Sequence, residues 1–284
     1  AALGAFDLDY RRGGFYNQRE DRWMRLLNIN VRDLILWNAQ NGEPFFATTD
    51  SSEGGIVLFA TVVGPEAGGA SNSYGVRVFG SADIPLPGGI GVSADPTGVT
   101  VASDQAMYVL GHFNRGAAAV PPGLPRQPAS LIGDSVNVLS QGYWQTQAAC
   151  NTGLCRDGQS VAALGGGARN AQNTWVNAAF LGGVDTTPDG FPGNSQYNGG
   201  LENYPRFHEN WSGVNLTYQG SFVSLGTPAH VDGQWCGTGG ACNIYNAPNR
   251  FWNFDPGYNN AANLPPLTPR FVYVQQVLFT EDFK

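Results

Sequence analysis

The sequence predicts a mainly β chain wound as an irregular β-solenoid, with long loop insertions and an N-terminal amphipathic helix. Three observations carry this. The first is a stretch within residues 98–140 that repeats itself: GVTVASDQAMYVLG and ASLIGDSVNVLS each run from a β-branched segment through a Ser-Asp or Gly-Asp corner into a second alternating segment, with Asp104 and Asp134 at matching corners. The second is a set of weaker echoes at 54–64, 74–84, 173–184 and 214–226. A single coil cannot bury its own inward side chains, so such units must stack, here in about five or six coils. The third is composition: 39 Gly and 18 Pro beside 13% charged and 12% aromatic residues describe a turn-rich chain too apolar for disorder. An ordinary β-sandwich is the alternative that the imperfect repeat leaves open.

In chain order, residues 19–41 read as a helix. Trp23, Leu26, Leu27, Val31, Leu34 and Ile35 fall at i, i+3, i+4 spacing, Asn17 is a candidate N-cap, and Asn41-Gly42 is a stop signal. Such a helix would cover an exposed end of the core or pack along a side of the sheet. Residues 54–226 are expected to hold the coils and their insertions. IVLFATVV at 56–63 suits a strand buried on both faces, whereas 114–128 is too proline-rich for helix or central strand. Residues 143–172 and 185–199 read as insertions, and 201–211 as a short helix with Pro205 in its first turn. An aromatic, Asn-rich tail with a last strand at 271–278 fills 227–284, so one domain is expected over 1–284.

The formal charge of −7, with Lys284 as the lone lysine, leaves no footprint for nucleic acid or an anionic bilayer. No apolar run reaches the roughly 20 residues of a membrane span. The opening AALGAFDLDY has no charged and apolar leader pattern, so an exported chain would be a mature or processed piece. The four cysteines form two close pairs in Gly-rich loops without a four-ligand set around them, so disulfides Cys150–Cys155 and Cys236–Cys242 are expected rather than a metal site. Each would contribute roughly 2 kcal/mol in the chain-entropy model and points to an oxidising, extracellular setting.

No catalytic residue, cofactor or metal is assigned. Asp104 and Asp134 could lie one above the other like a hydrolase or lyase pair, but Asp at such corners commonly folds onto its own backbone. His112, His208 and His230 have no partner visible in sequence. There is no phosphate loop, and Asp7 and Asp9 lack the rest of a calcium loop. The aromatic residues offer more. Trp211, Trp235, Trp252 and Tyr258, read as loop residues among Asn and Gln, are candidate carbohydrate contacts, with Phe251 and Phe254 beside them; the alternative is that these rings pin long loops to the body. Asn210 and Asn215 begin glycosylation sequons.

Several blocks carry a resemblance: RRGGFYNQREDRWMRLLNINVRDLILWN, DPTGVTVASDQAMYVLGHFN, LIGDSVNVLS, NGGLENYPRFHENWSG and PNRFWNFDPGYNNAANLPPLTPRFVYVQQ. They are spread from residue 11 to residue 276, and over nearly its whole length the chain resembles the C-terminal part of a cyanobacterial surface-protein family known as hormogonium polysaccharide biosynthesis or secretion proteins. Related blocks are similar to those of pilus-associated proteins. The resemblance implies export, a cell-surface location and a link to extracellular polysaccharide and gliding, and it brings no catalytic motif. The expectation is an extracellular structural protein, a self-assembling fibril or array subunit whose partners are itself and extracellular polysaccharide. A carbohydrate-binding or carbohydrate-modifying β-helix module and a pilus accessory domain are the alternatives.

Overall fold

Short alternating segments separated by Gly and Pro cannot form long helices, and they fold as strands that pair across the chain. The computed structural model describes residues 6–9, 15–17, 19–20, 22–42, 45–47, 55–64, 72–84, 98–115, 126–143, 170–183, 204–231 and 245–268. In chain order the strands are β1 (Phe6–Asp9), β2 (Phe15–Asn17) and β3 (Arg22–Asn30), then helix α1 (Val31–Gln40), then β4 (Gly55–Ala60), β5 (Tyr74–Phe79), β6 (Gly98–Ser103), β7 (Ala106–Leu110), β8 (Ala129–Ile132), β9 (Val136–Leu139), β10 (Thr174–Gly182), β11 (Arg206–Phe207), β12 (Asn215–Ser224) and β13 (Asn249–Phe254). They form two sheets. The first is seven-stranded in the order β1-β3-β5-β7-β9-β11 with β2 also on β3, and the second is six-stranded in the order β4-β6-β8-β10-β12-β13. From β3 to β12 the chain changes sheet with every strand, and each strand from β3 to β10 pairs in parallel with the one two further along. Antiparallel pairing among the described strands is confined to β1 and β2 against β3. No described helix is long and apolar enough to cross a membrane.

The apolar core lies between the sheets as rows of register partners. Val78, Val109 and Val138 align on the first sheet, and Val101, Leu131 and Phe180 on the second, all buried. Each such side chain contributes about 1.5–3 kcal/mol relative to exposure. The doubled stretch behaves as its repetition predicts, β6 pairing with β8 and β7 with β9. Its corners do not superpose, because the second is one residue shorter: the Asp134 amide donates to the Gln105 carbonyl at 3.0 Å.

The first sheet buries its outer face as well, around a polar row. Asn28, Arg77, Tyr108, Asn137 and Arg206 are register partners on five successive strands, all 2% exposed or less. Arg77 Nε donates to Asn28 Oδ1 at 2.7 Å, and His208 Nε2 lies 2.8 Å from Asn137 Oδ1. The turn after β2 covers this row: Asn17 Nδ2 donates to the Tyr108 hydroxyl at 2.9 Å, and Arg206 Nη2 pairs with Glu20 Oε1 at 2.7 Å. Burial, reinforced by the Glu20 charge, pushes the Tyr108 phenol well above its ordinary pKa.

Four expectations are corrected. Residues 22–30 are a strand, and the helix is only Val31–Gln40. RWMRLLNIN satisfies a period of two as well as a helical one, with Met24, Leu26 and Asn28 buried on alternate positions and Arg25 exposed. The N-cap is accordingly Asn30, whose Oδ1 accepts the Asp33 amide at 3.1 Å, while Asn17 receives the Arg19 and Glu20 amides in a turn. Helix α1 ends at Asn41-Gly42 as expected, and Val31, Leu34 and Ile35 join the core. The segment 56–63 is not buried on both faces: β4 stops at Ala60, and Phe59 is 68% exposed. Residues 204–211 carry the short strand β11 and no helix, since pairing with β9 draws Arg206 and Phe207 into the first sheet. Finally, Phe251, Trp252 and Phe254 lie on strand β13 rather than in a loop. The four cysteines, Trp235 and the strand expected at 271–278 lie outside the described residues.

Candidate functional site

The tail end of the second sheet, where β12 meets β13, gathers most of the aromatic side chains that the sequence singles out. Alternation along β12 puts Tyr218 and Phe222 on the core face, their rings stacked at 4.4 Å and 15°. Register sets Trp252 opposite Tyr218, and the indole meets Phe222 edge-on at 5.2 Å. Arg250 lies over the indole at 5.4 Å. The Tyr218 hydroxyl turns back to donate toward the Ala178 and Ser221 carbonyls, 2.6 and 2.8 Å away. Burial, with the neighbouring phenols Tyr258 and Tyr204, raises its pKa well above the ordinary value. Beside this cluster an open cleft of about 380 Å³ is lined by Phe222, Trp252, Phe254, Ser221 and Asn253. Aromatic rings and the polar side chains of Ser221 and Asn253 thus line one cleft.

The expected carbohydrate contacts are thus divided. Trp252 lines the cleft. Trp211 is corrected: it is fully buried, packed edge-on against Phe207 at 5.7 Å, and cannot meet a ligand. Tyr258 pins a strap instead. Leaving β13, residues 255–268 run back over the second sheet, held where Arg126 pairs with Asp255, where the Tyr258 hydroxyl donates to the Ala129 carbonyl at 3.1 Å, and where Thr100 Oγ1 donates to the Pro266 carbonyl at 2.7 Å.

Two asparagine ladders climb the same end and were missed in the sequence. Asn210 Nδ2 donates to Asn170 Oδ1 at 3.1 Å and Asn246 Nδ2 to Asn210 Oδ1 at 2.7 Å. In the second ladder the Asn215 amide donates to Asn173 Oδ1 at 2.9 Å and Asn249 Nδ2 to Asn215 Oδ1 at 3.0 Å. The signal was the recurrence of N-A-x-N at 170–173 and 246–249. Both sequon asparagines are rungs, their carboxamides already engaged.

The ionisable groups hold the chain together. Asp104 Oδ2 accepts the Thr61 hydroxyl at 2.6 Å, and Asp134 receives the Ala229 and His230 amides, so neither folds onto its own backbone. Ser103 does that instead, its Oγ accepting the Gln105 amide at 3.1 Å. Glu209 is buried and takes the Ser140 amide and hydroxyl at 2.6 and 2.7 Å. Among the described residues no group of three or more His, Cys, Asp or Glu side chains is placed to hold a metal ion.

His112 gives a pH-dependent prediction. Its Nδ1 accepts the Trp175 amide at 3.0 Å, and burial, with the nearby Arg115 charge, lowers its pKa from the ordinary value of about 6.5. The folded state therefore binds fewer protons than the unfolded one. The stabilisation is complete above the unfolded value and is lost as pH falls through the folded value. In His112→Asn the carboxamide oxygen accepts the same amide without titrating, so thermal melts from about pH 7.5 down to pH 4.5 are expected to show a shallower loss of Tm than wild type. Equal slopes would refute the assignment.

Comparison with protein-family models, with curated proteins and with solved structures finds no match to this chain.

Proposed function

We propose that this chain is an extracellular, cell-surface structural protein without catalytic function, an irregular β-solenoid that assembles end to end into fibrils or an array associated with secreted polysaccharide and gliding. The observation that carries the reading is the pair of parallel sheets, between which the chain passes strand by strand, with the second sheet ending on strands that show aromatic side chains to solvent. A repeating parallel ladder has two chemically different ends, and a contact between them generates open filaments unless the rotation closes a ring. The resemblance to the polysaccharide-associated surface proteins supports the location and the partner.

A second reading, a carbohydrate-binding module, is favoured by the Trp252 cleft. Sedimentation velocity of the 284-residue chain at micromolar concentration, with electron microscopy of the surface of the source cells, separates the two. The structural reading expects a concentration-dependent ladder of species and a regular layer or fibril on cells. A persistent monomer together with a featureless surface would defeat it and favour the sugar-binding reading.

A further inference from the structure

We infer that copies of this chain join through the second sheet, the outer edge of β13 on one copy pairing in parallel with the outer edge of β4 on the next. This rests on the end-to-end reading above and names its contact. Among the described residues no strand pairs with either of these edges.

The edges themselves are the first argument. An open strand edge is a template for another strand, and soluble proteins blunt it with charge, proline or a bulge. β4 reads GIVLFA, with neither charge nor proline, and β13 reads NRFWNF, with one arginine. Phe59 on β4 is 68% exposed, and Phe251 and Phe254 on β13 are 54% and 55% exposed. The first sheet is finished differently at the same end as β4. Its last described strand there is β1, which reads FDLD and runs antiparallel to β3.

Direction and offset are the second. Every pair within the second sheet is parallel, so a copy displaced along the stack presents β4 to β13 in the orientation that all the other pairs share. Such a contact is heterologous and repeats without closing. The two sheets are also out of step. Among the described residues, the first sheet extends at the β4 end to β1 while the second stops at β4, and at the β13 end the second sheet carries the six-residue strand β13 while the first stops at β11. A projecting strand at one end thus meets a recessed strand at the other.

The third is facing. Register along the second sheet puts Leu58 in the core row of Val101, Leu131, Phe180 and Phe222, with Ile56 in the core row beside it. Trp252 and Phe254 lie opposite Tyr218 and Gly220 and share that facing. A pairing that preserves it sets Ile56 and Leu58 beside Trp252 and Phe254 and carries the apolar interior across the joint; a slip of one residue would turn Val57 and Phe59 inward. Asn246 and Asn249, the last rungs of their ladders, stand at the same end.

Phe59→Lys and Phe251→Lys each place a charge on one edge at an exposed position, and circular dichroism and thermal melts verify that both fold. Sedimentation velocity is expected to show wild type as a concentration-dependent series and each variant alone as a monomer, with self-association weakened about a hundredfold. Mixed one to one, the variants are expected to form a heterodimer and nothing longer, because each retains the edge the other lacks. Phe59→Ser and Phe251→Ser, which add no charge, are expected to give the same order with a smaller loss. If wild type assembles and either lysine variant still elongates, the joint lies elsewhere and only this inference falls. If wild type itself stays monomeric, the end-to-end reading falls with it.

Discussion

Replacing Glu20 by glutamine is expected to lower the free energy of unfolding by about 3–5 kcal/mol, because it leaves the Arg206 guanidinium charged in a site that excludes water. The pair is buried on both sides, with side chains 3% and 1% exposed and Nη2 to Oε1 at 2.7 Å. It also joins distant parts of the chain, fastening the turn after β2 to β11 across the polar row. Removing both charges in Glu20→Leu with Arg206→Met is expected to recover most of the loss, since two apolar side chains of similar length avoid the desolvation that either single change leaves uncompensated. Urea unfolding of wild type, both single variants and the double variant closes the cycle. A near-additive double variant would show that the pair is not coupled. The carboxylate leaves a second trace. After burial, the Glu20 charge is the next cause holding the Tyr108 phenol above its ordinary pKa, so absorbance titration of Glu20→Gln is expected to show that phenol ionising at lower pH than in wild type.

The sequence shows the strands it repeats and hides the ones it does not. β6 to β9 were legible because two copies of one pattern lie 30 residues apart, and copies that must stack keep the same inward positions. β3 was not, because RWMRLLNIN followed by an authentic helix satisfies both periods. Only the neighbour β5, brought to it from 44 residues further along, decides for the strand. β13 failed for a related reason. An edge strand open on both faces has no alternation to display, and its Asn and Phe residues read as loop. The buried polar row was visible in retrospect, as a polar residue between apolar ones in LNI, VRV, MYV and VNV. What it lacked was a signal that the outer face is covered, which depends on chain far away in sequence. At the candidate site, Trp252 was legible from composition, whereas the burial of Trp211 follows from the pairing of β11 with β9 and has no local mark.

Gly220→Ala is expected to cost about 3–5 kcal/mol, a magnitude that a single methyl reaches only by breaking packing and a hydrogen bond together. A Cβ at position 220 would run into the Ala178 carbonyl oxygen on the paired strand β10 and into the Tyr218 hydroxyl on its own strand. The carbonyl belongs to a ladder that pairs nine residues of β10 with nine of β12, and it also receives the Tyr218 hydroxyl. Either the two strands separate there or the phenol leaves, which abandons a buried hydroxyl and displaces the ring on which Phe222 stacks. Tyr218→Phe isolates the hydroxyl and is expected to cost only about 1–2 kcal/mol, so the larger share in Gly220→Ala comes from the backbone. The two also differ at the surface. In Tyr218→Phe the stack and the Trp252 cleft persist, whereas in Gly220→Ala the tail end loosens and Trp252 becomes more accessible to solvent. Urea unfolding followed by tryptophan fluorescence, with acrylamide quenching of the folded variants, reads both effects. A Gly220→Ala protein as stable as Tyr218→Phe, with wild-type quenching, would show that β12 does not need the close approach to β10 that the glycine permits.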